Sequence, residues 1–131
     1  MKSRLSIETI LMTTGLSWEQ IVQTNRDMAR FMGLNSRTVT YPNRITHYEV
    51  DVDFGVCSKW IDMEYHTSYD WLMEVWIKFA NLRLTTPSHR RKHMALKMHI
   101  KDVLGYPVGD HPILNLYIAL RAGLTVINEF N

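Results

Sequence analysis

Cysteine is almost missing from this chain. Cys57 stands alone, so no internal disulfide can brace the fold, and a reducing cytoplasm is the expected setting. Proline is scarce too, four in 131 residues, and no low-complexity tract or repeat marks a linker. One domain covering 1–131 is therefore expected, long enough to bury a core without metal or disulfide help. Long apolar runs are also lacking. The most apolar stretch, 112–127, carries Asn115 and Arg121 and is too short to span a bilayer, while the opening MKSRLSIETILMTTG has no apolar segment of signal-peptide length. No membrane partner is expected. Walker loops, G-x-G-x-x-G, C-x-x-C and G-x-S-x-G are all absent, so no cofactor is implied.

What remains is ordinary globular material, 46% apolar and 21% charged, with the charge unevenly laid out. Residues 49–74 hold seven acids (Glu49, Asp51, Asp53, Asp62, Glu64, Asp70, Glu74) against Lys59 alone. Residues 83–101 hold six bases (Arg83, Arg90, Arg91, Lys92, Lys97, Lys101), no acid, and three histidines. Such a split gives opposed acidic and basic surfaces. The basic one suits water, an acidic protein or nucleic acid.

Helix signals open the chain. Ser6 as cap and Gly15 as stop bound a short helix, and S-W-E-Q from Ser17 is a capping box for a second that runs to Gly33. The middle changes period. THYEVDVDF alternates Tyr48, Val50, Val52 and Phe54 with Glu49, Asp51 and Asp53, which predicts a strand with one wet face. Gly55 turns it into a partner strand over 56–65, and 37–41 reads as a third strand closed by Pro42-Asn43. The last half predicts helices over 69–82, from Thr86-Pro87 to Gly105, and from about Pro112 to Glu129 with Asp110 as cap. In the second of these, Leu96, Ile100, Val103 and Leu104 share one face, and Arg90, His93, Lys97 and Lys101 another. The final helix is apolar around most of its circumference, as a central core helix or half of an oligomer interface would be.

Residues 65–73, YHTSYDWLM, bring histidine, serine and aspartate together. Acyl-transfer triads are defined by geometry, and His66 and Ser68 sit two apart, where side chains tend to diverge. A simpler reading is a helix start: Thr67 or Ser68 caps the first turn, Asp70 complements the dipole, and Trp71, Leu72, Val75, Trp76 and Phe79 fill the core. His66 then has either a structural or a binding role. The string Y-H-x-S-aromatic-D-W-L-M resembles a hallmark of small uncharacterised proteins of phages and prophages of gut bacteria. In them a similar string opens a helix, an F-M-G segment lies upstream, as Phe31-Met32-Gly33 does here, and an amphipathic helix ends the chain. Relatives usually carry tryptophan at the place of Tyr69 and proline at that of Glu74. The resemblance implies a viral accessory protein and carries over no catalytic residue.

DMARFMGLNSRTV has helix-turn-helix spacing, with Ala29 where two helices touch, Gly33 at the turn and Val39 anchoring a recognition helix. Pro42 and the β-branched Thr38-Val39-Thr40 oppose it and favour a strand. His89 and His93, four apart, have zinc-ligand spacing, but Arg90, Arg91 and Lys92 between them repel a cation. Glu49, Asp51 and Asp53 could hold magnesium only with help from His47, Asp62 or Glu64, so no metal is assigned.

The composite expectation is an α+β fold. A small antiparallel sheet (hairpin about 46–65) carries N-terminal helices, and three C-terminal helices pack on one face. The favoured activity is non-enzymatic binding to a host protein, with self-association through the last helix, in a host-modulating or counter-defence role that the resemblance implies. Its binding residues would be His66, Tyr69, Trp60, Arg90, His93, Lys97 and Lys101. A nucleic-acid binder would instead use Arg37, Arg44, Arg90, Arg91, Lys97 and Lys101. An enzyme or ligand-binding domain of unfamiliar type would centre on His66 and the hairpin acids.

Overall fold

Each helix begins and ends on local chemistry that the sequence carries. A computed structural model describes residues 6–39, 47–53, 58–107 and 109–130, and for 38–39, 47–53 and 58–62 it describes the backbone. Helix α1 (Ile7–Thr14) starts where Ser6 Oγ accepts from the Thr9 amide and stops at Gly15, φ 70°, whose amide donates to the Leu11 carbonyl. Helix α2 (Trp18–Phe31) opens on a complete capping box: Ser17 Oγ accepts from the Gln20 amide, and Gln20 Oε1 accepts from the Ser17 amide at 2.9 Å. It closes on Gly33 at φ 76°, with the Leu34 amide reaching back to the Ala29 carbonyl at 2.9 Å. That left-handed step suits glycine because a Cβ would crowd the following carbonyl.

A strand follows, not a recognition helix. Strand β1 (Ser36–Val39) extends at once, so the helix-turn-helix expectation for 27–39 is corrected. Branched side chains at Thr38 and Val39 lose freedom in a helix, and the αL step at Gly33 has already turned the chain. Strands β2 (His47–Asp53) and β3 (Ser58–Asp62) pair antiparallel with it in the order β1-β2-β3, Thr38 opposite Tyr48 and Val50 opposite Ile61. The Pro42-Asn43 turn, Arg44, the Gly55 turn and Cys57 lie outside the described residues.

The described residues after β3, like those before β1, are mainly helical, and α-helix predominates among the described residues. Helix α3 (Tyr69–Ala80) is capped by Ser68, whose Oγ accepts from the Trp71 amide. Helix α4 (Pro87–Gly105) has proline in its first turn, after Thr86 in the cap position without a side-chain bond. Helix α5 (Pro112–Asn128) is preceded by His111 at the cap position, with φ −136° and ψ 71°. Asp110 therefore stands one residue too early to cap it. Proline at the start of the helix holds the residue before it extended, which makes His111 the boundary.

Helix α5 is the hub. Leu114, Leu116, Tyr117, Ala119, Leu120 and Leu124 are buried, and α1, α2, α3 and α4 all pack against it. Much of its apolar circumference is thus covered from within the chain, as a central core helix requires. The placement of the C-terminal helices differs from expectation as well. Strands β1 and β2 lie along α2, while α3 and α4 gather on α5. A helix apolar on most sides draws in enough neighbours to dry each side, and the sheet is left to α2. On α4, Ile100 is buried and Leu96, Val103 and Leu104 pack against the core, the face read from their spacing. Among the described residues no helix is long and apolar enough to cross a membrane.

Candidate functional site

His66 sits in the turn before α3, where the Thr67 and Ser68 amides both donate to the Glu64 carbonyl. The turn delivers its ring to α2 and α5. Asn25 Nδ2 lies 2.9 Å from His66 Nδ1, and Tyr117 Oη donates to Asn25 Oδ1 at 2.8 Å, with the Ile21 carbonyl at 3.1 Å. These contacts fix the proton pattern. Asn25 accepts through its oxygen, so its amide nitrogen must donate, and His66 Nδ1 must be the unprotonated acceptor with the proton on Nε2. The ring is flanked edge-on by Trp18 at 5.9 Å and Tyr117 at 6.3 Å. Burial in these surroundings lowers the imidazole pKa from 6.5 to about 4, which keeps it neutral near pH 7. Burial likewise raises the Tyr117 phenol, which stays a donor.

The other members of the string serve the helix start. Ser68 Oγ is occupied by the Trp71 amide, Asp70 is exposed in the first turn, and buried Tyr65 meets Trp71 edge-on at 4.9 Å. Serine and histidine thus face different partners, and their contacts are those of a cap and a core joint. Tyr69, the first residue of α3, is 45% exposed.

The cations gather elsewhere, on α4. Arg90, Arg91, Lys92 and Lys101 are exposed and Lys97 is half-buried. Among the described residues none of the five has a carboxylate partner. Two methionines stand with them, Met94 at 54% and Met98 at 62% exposure. Helical spacing puts Arg90, Arg91 and Lys97 next to Met94, and Lys101 next to Met98, on one side of the rod. His93 does not share that side. It is 6% exposed and its Nε2 donates at 2.7 Å to the Phe79 carbonyl, a group in the last turn of α3 that also accepts from the Leu82 amide at 3.3 Å. A ring that can pack on Phe79, 5.0 Å away, and cap a helix end goes inward, so His93 leaves the basic face. His89 is similarly engaged, stacked on Phe130 at 4.0 Å.

The remaining sequence candidates are dispersed. Arg37 is exposed on β1 and has an interaction of its own. Arg44 lies outside the described residues, as do the side chains of Trp60, Glu49, Asp51, Asp53 and Asp62. His66 bonds to α2 and α5, Tyr69 opens α3, and the exposed cations belong to α4, so the binding set splits into two places. Among the described residues no group of three histidines, cysteines or acids could hold a metal ion. Sequence reading missed Asn25, Thr24 and Tyr117. Their signal was there: Asn25 falls between Ile21 and Met28 at helical spacing, a polar residue inside the buried stripe of α2.

No protein-family model, curated protein or solved structure is significantly similar to this chain.

Proposed function

We propose that the protein works by binding: the exposed side of α4 docks into an acid-rimmed apolar groove on a partner protein. The observation that carries this reading is the placing of Met94 and Met98, well exposed, among cations that have no carboxylate partner among the described residues. Methionine is a soft, adaptable contact that is enriched at interfaces, and surrounding cations steer an acidic partner and fix its register. A helix presenting apolar residues one turn apart is the usual occupant of such a groove. The resemblance of residues 65–73 to phage proteins suits a host protein as that partner, and a host-modulating or counter-defence role as its setting.

The test pairs two double variants with one competitor. Capture of a protein from a lysate of the bacterial host is expected to fail with both Met94→Ala/Met98→Ala and Lys97→Glu/Lys101→Glu. A DNA duplex at low salt is expected to leave the captured protein in place. If the methionine variant binds as wild type while duplex affinity falls steeply with salt, the groove reading is wrong and the basic side of α4 serves nucleic acid.

A further inference from the structure

Between α2 and α5, a partly enclosed cleft of about 110 Å³ has a largely polar wall. It has room for several waters or one very small molecule. Two of its lining residues are charged, and they are of opposite sign: Arg121 on α5 and Asp27 on α2. Gln23 and Asn128 add amides.

Both charged groups are held from behind. Arg121 is half-buried, and its Nε donates to Thr24 Oγ1 at 3.0 Å. That hydroxyl is itself fixed, 2.7 Å from the Gln20 carbonyl, and Thr24 is buried. The plane of the guanidinium is thereby set, and its terminal amino groups remain as donors in the fork geometry that a carboxylate fits. On the opposite helix, Asp27 Oδ1 accepts from Gln23 Nε2 at 3.0 Å and has Arg30 at 3.8 Å, while its second oxygen remains for a cation. A simple anion entering the cleft would meet Asp27, and a simple cation would meet Arg121. A neutral molecule carrying both charges meets neither penalty.

We propose that this cleft binds a small zwitterion of the amino-acid type, its carboxylate on the Arg121 amino groups and its ammonium on Asp27. The site is independent of the α4 face. Its small volume restricts the ligand to one with little or no side chain, and glycine is the probe.

NMR titration of the full chain with glycine tests it, with acetate and methylammonium as single-charge controls. Saturable shifts of the Arg121 Nε–H and Thr24 resonances are expected at roughly millimolar glycine, a typical affinity for so few atoms. Each control should bind at least tenfold more weakly. Arg121→Gln and Asp27→Asn should each weaken glycine tenfold or more. Should Arg121→Gln fail to fold, Asp27→Asn and the two controls still decide. Acetate binding as well as glycine overturns the proposal, and so does an absence of saturable shifts or an unaffected Asp27→Asn.

Discussion

Gly123 of α5 lies directly against the Phe79 ring of α3. A Cβ placed on it would stand 3.1 Å from Cζ and 3.2 Å from Cε2, with Ile100 Cδ1 of α4 at 3.4 Å. Three helices meet where this one residue has no side chain, and Phe79 and Ile100 are both fully buried. Glycine inside a helix costs about 1 kcal/mol relative to alanine, so its presence here reflects the close approach. Gly123→Ala should regain that propensity yet lose more to overpacking, for a net destabilisation of about 1–2 kcal/mol in urea unfolding. An unchanged or higher midpoint would mean the ring yields freely.

His93 joins the same three-helix region. His93→Leu keeps most of the volume and removes the donor to Phe79, which should destabilise the protein by about 1–3 kcal/mol. Thermal melts of the pair His93→Leu and His93→Gln check it. Glutamine can still donate, so if both lose equally, packing and not the hydrogen bond holds α4 to α3.

The Tyr117–Asn25–His66 chain should behave as a unit. Tyr117→Phe leaves Asn25 Oδ1 without its donor, at a cost of about 1–3 kcal/mol. Combined with Asn25→Ala, the second loss should be much smaller than the first, because the partner is already gone. Additive effects in the double-mutant cycle would show that the two side chains act separately.

Acid should weaken the fold through His66. Its folded pKa of about 4 lies below the ordinary 6.5, so between those values the unfolded imidazole is protonated and the folded one is not. Unfolding then takes up a proton, and stability falls as pH drops. The contribution of His66 is complete above pH 6.5 and is lost down to about pH 4, about 3 kcal/mol in all. In His66→Gln that part of the slope should vanish from urea melts across this window. The wild-type ring should also show the Nε2–H tautomer by 15N shifts at pH 7, and an Nδ1–H form would contradict the hydrogen-bond chain.

Much of the fold was legible because helix ends are written locally. Ser6, Ser17 and Ser68 cap, Gly15 and Gly33 stop, and Pro87 begins, each by contacts within about four residues. The helix-turn-helix spacing stayed open as an alternative for a matching reason. Ala29 and Gly33 are as useful for ending α2 as for turning into a second helix, and only the branched residues after them tell the two apart. The site was legible in part. His66 was singled out, but its partners lie 41 residues upstream and, through Asn25, 92 residues from that amide, a separation no local pattern reports.

By itself the sequence determined where most of the helices start and stop, the concentration of cations on α4, and the apolar girth of α5, since these follow from hydrogen bonding and side-chain spacing along one segment. Only tertiary structure decided that α5 is wrapped by its own chain, that His93 turns inward to Phe79 while Met94 and Met98 stay out, and that Arg121 and Asp27 line one cleft. Which face meets which is settled by competition among all the apolar surfaces for burial. That competition is not local.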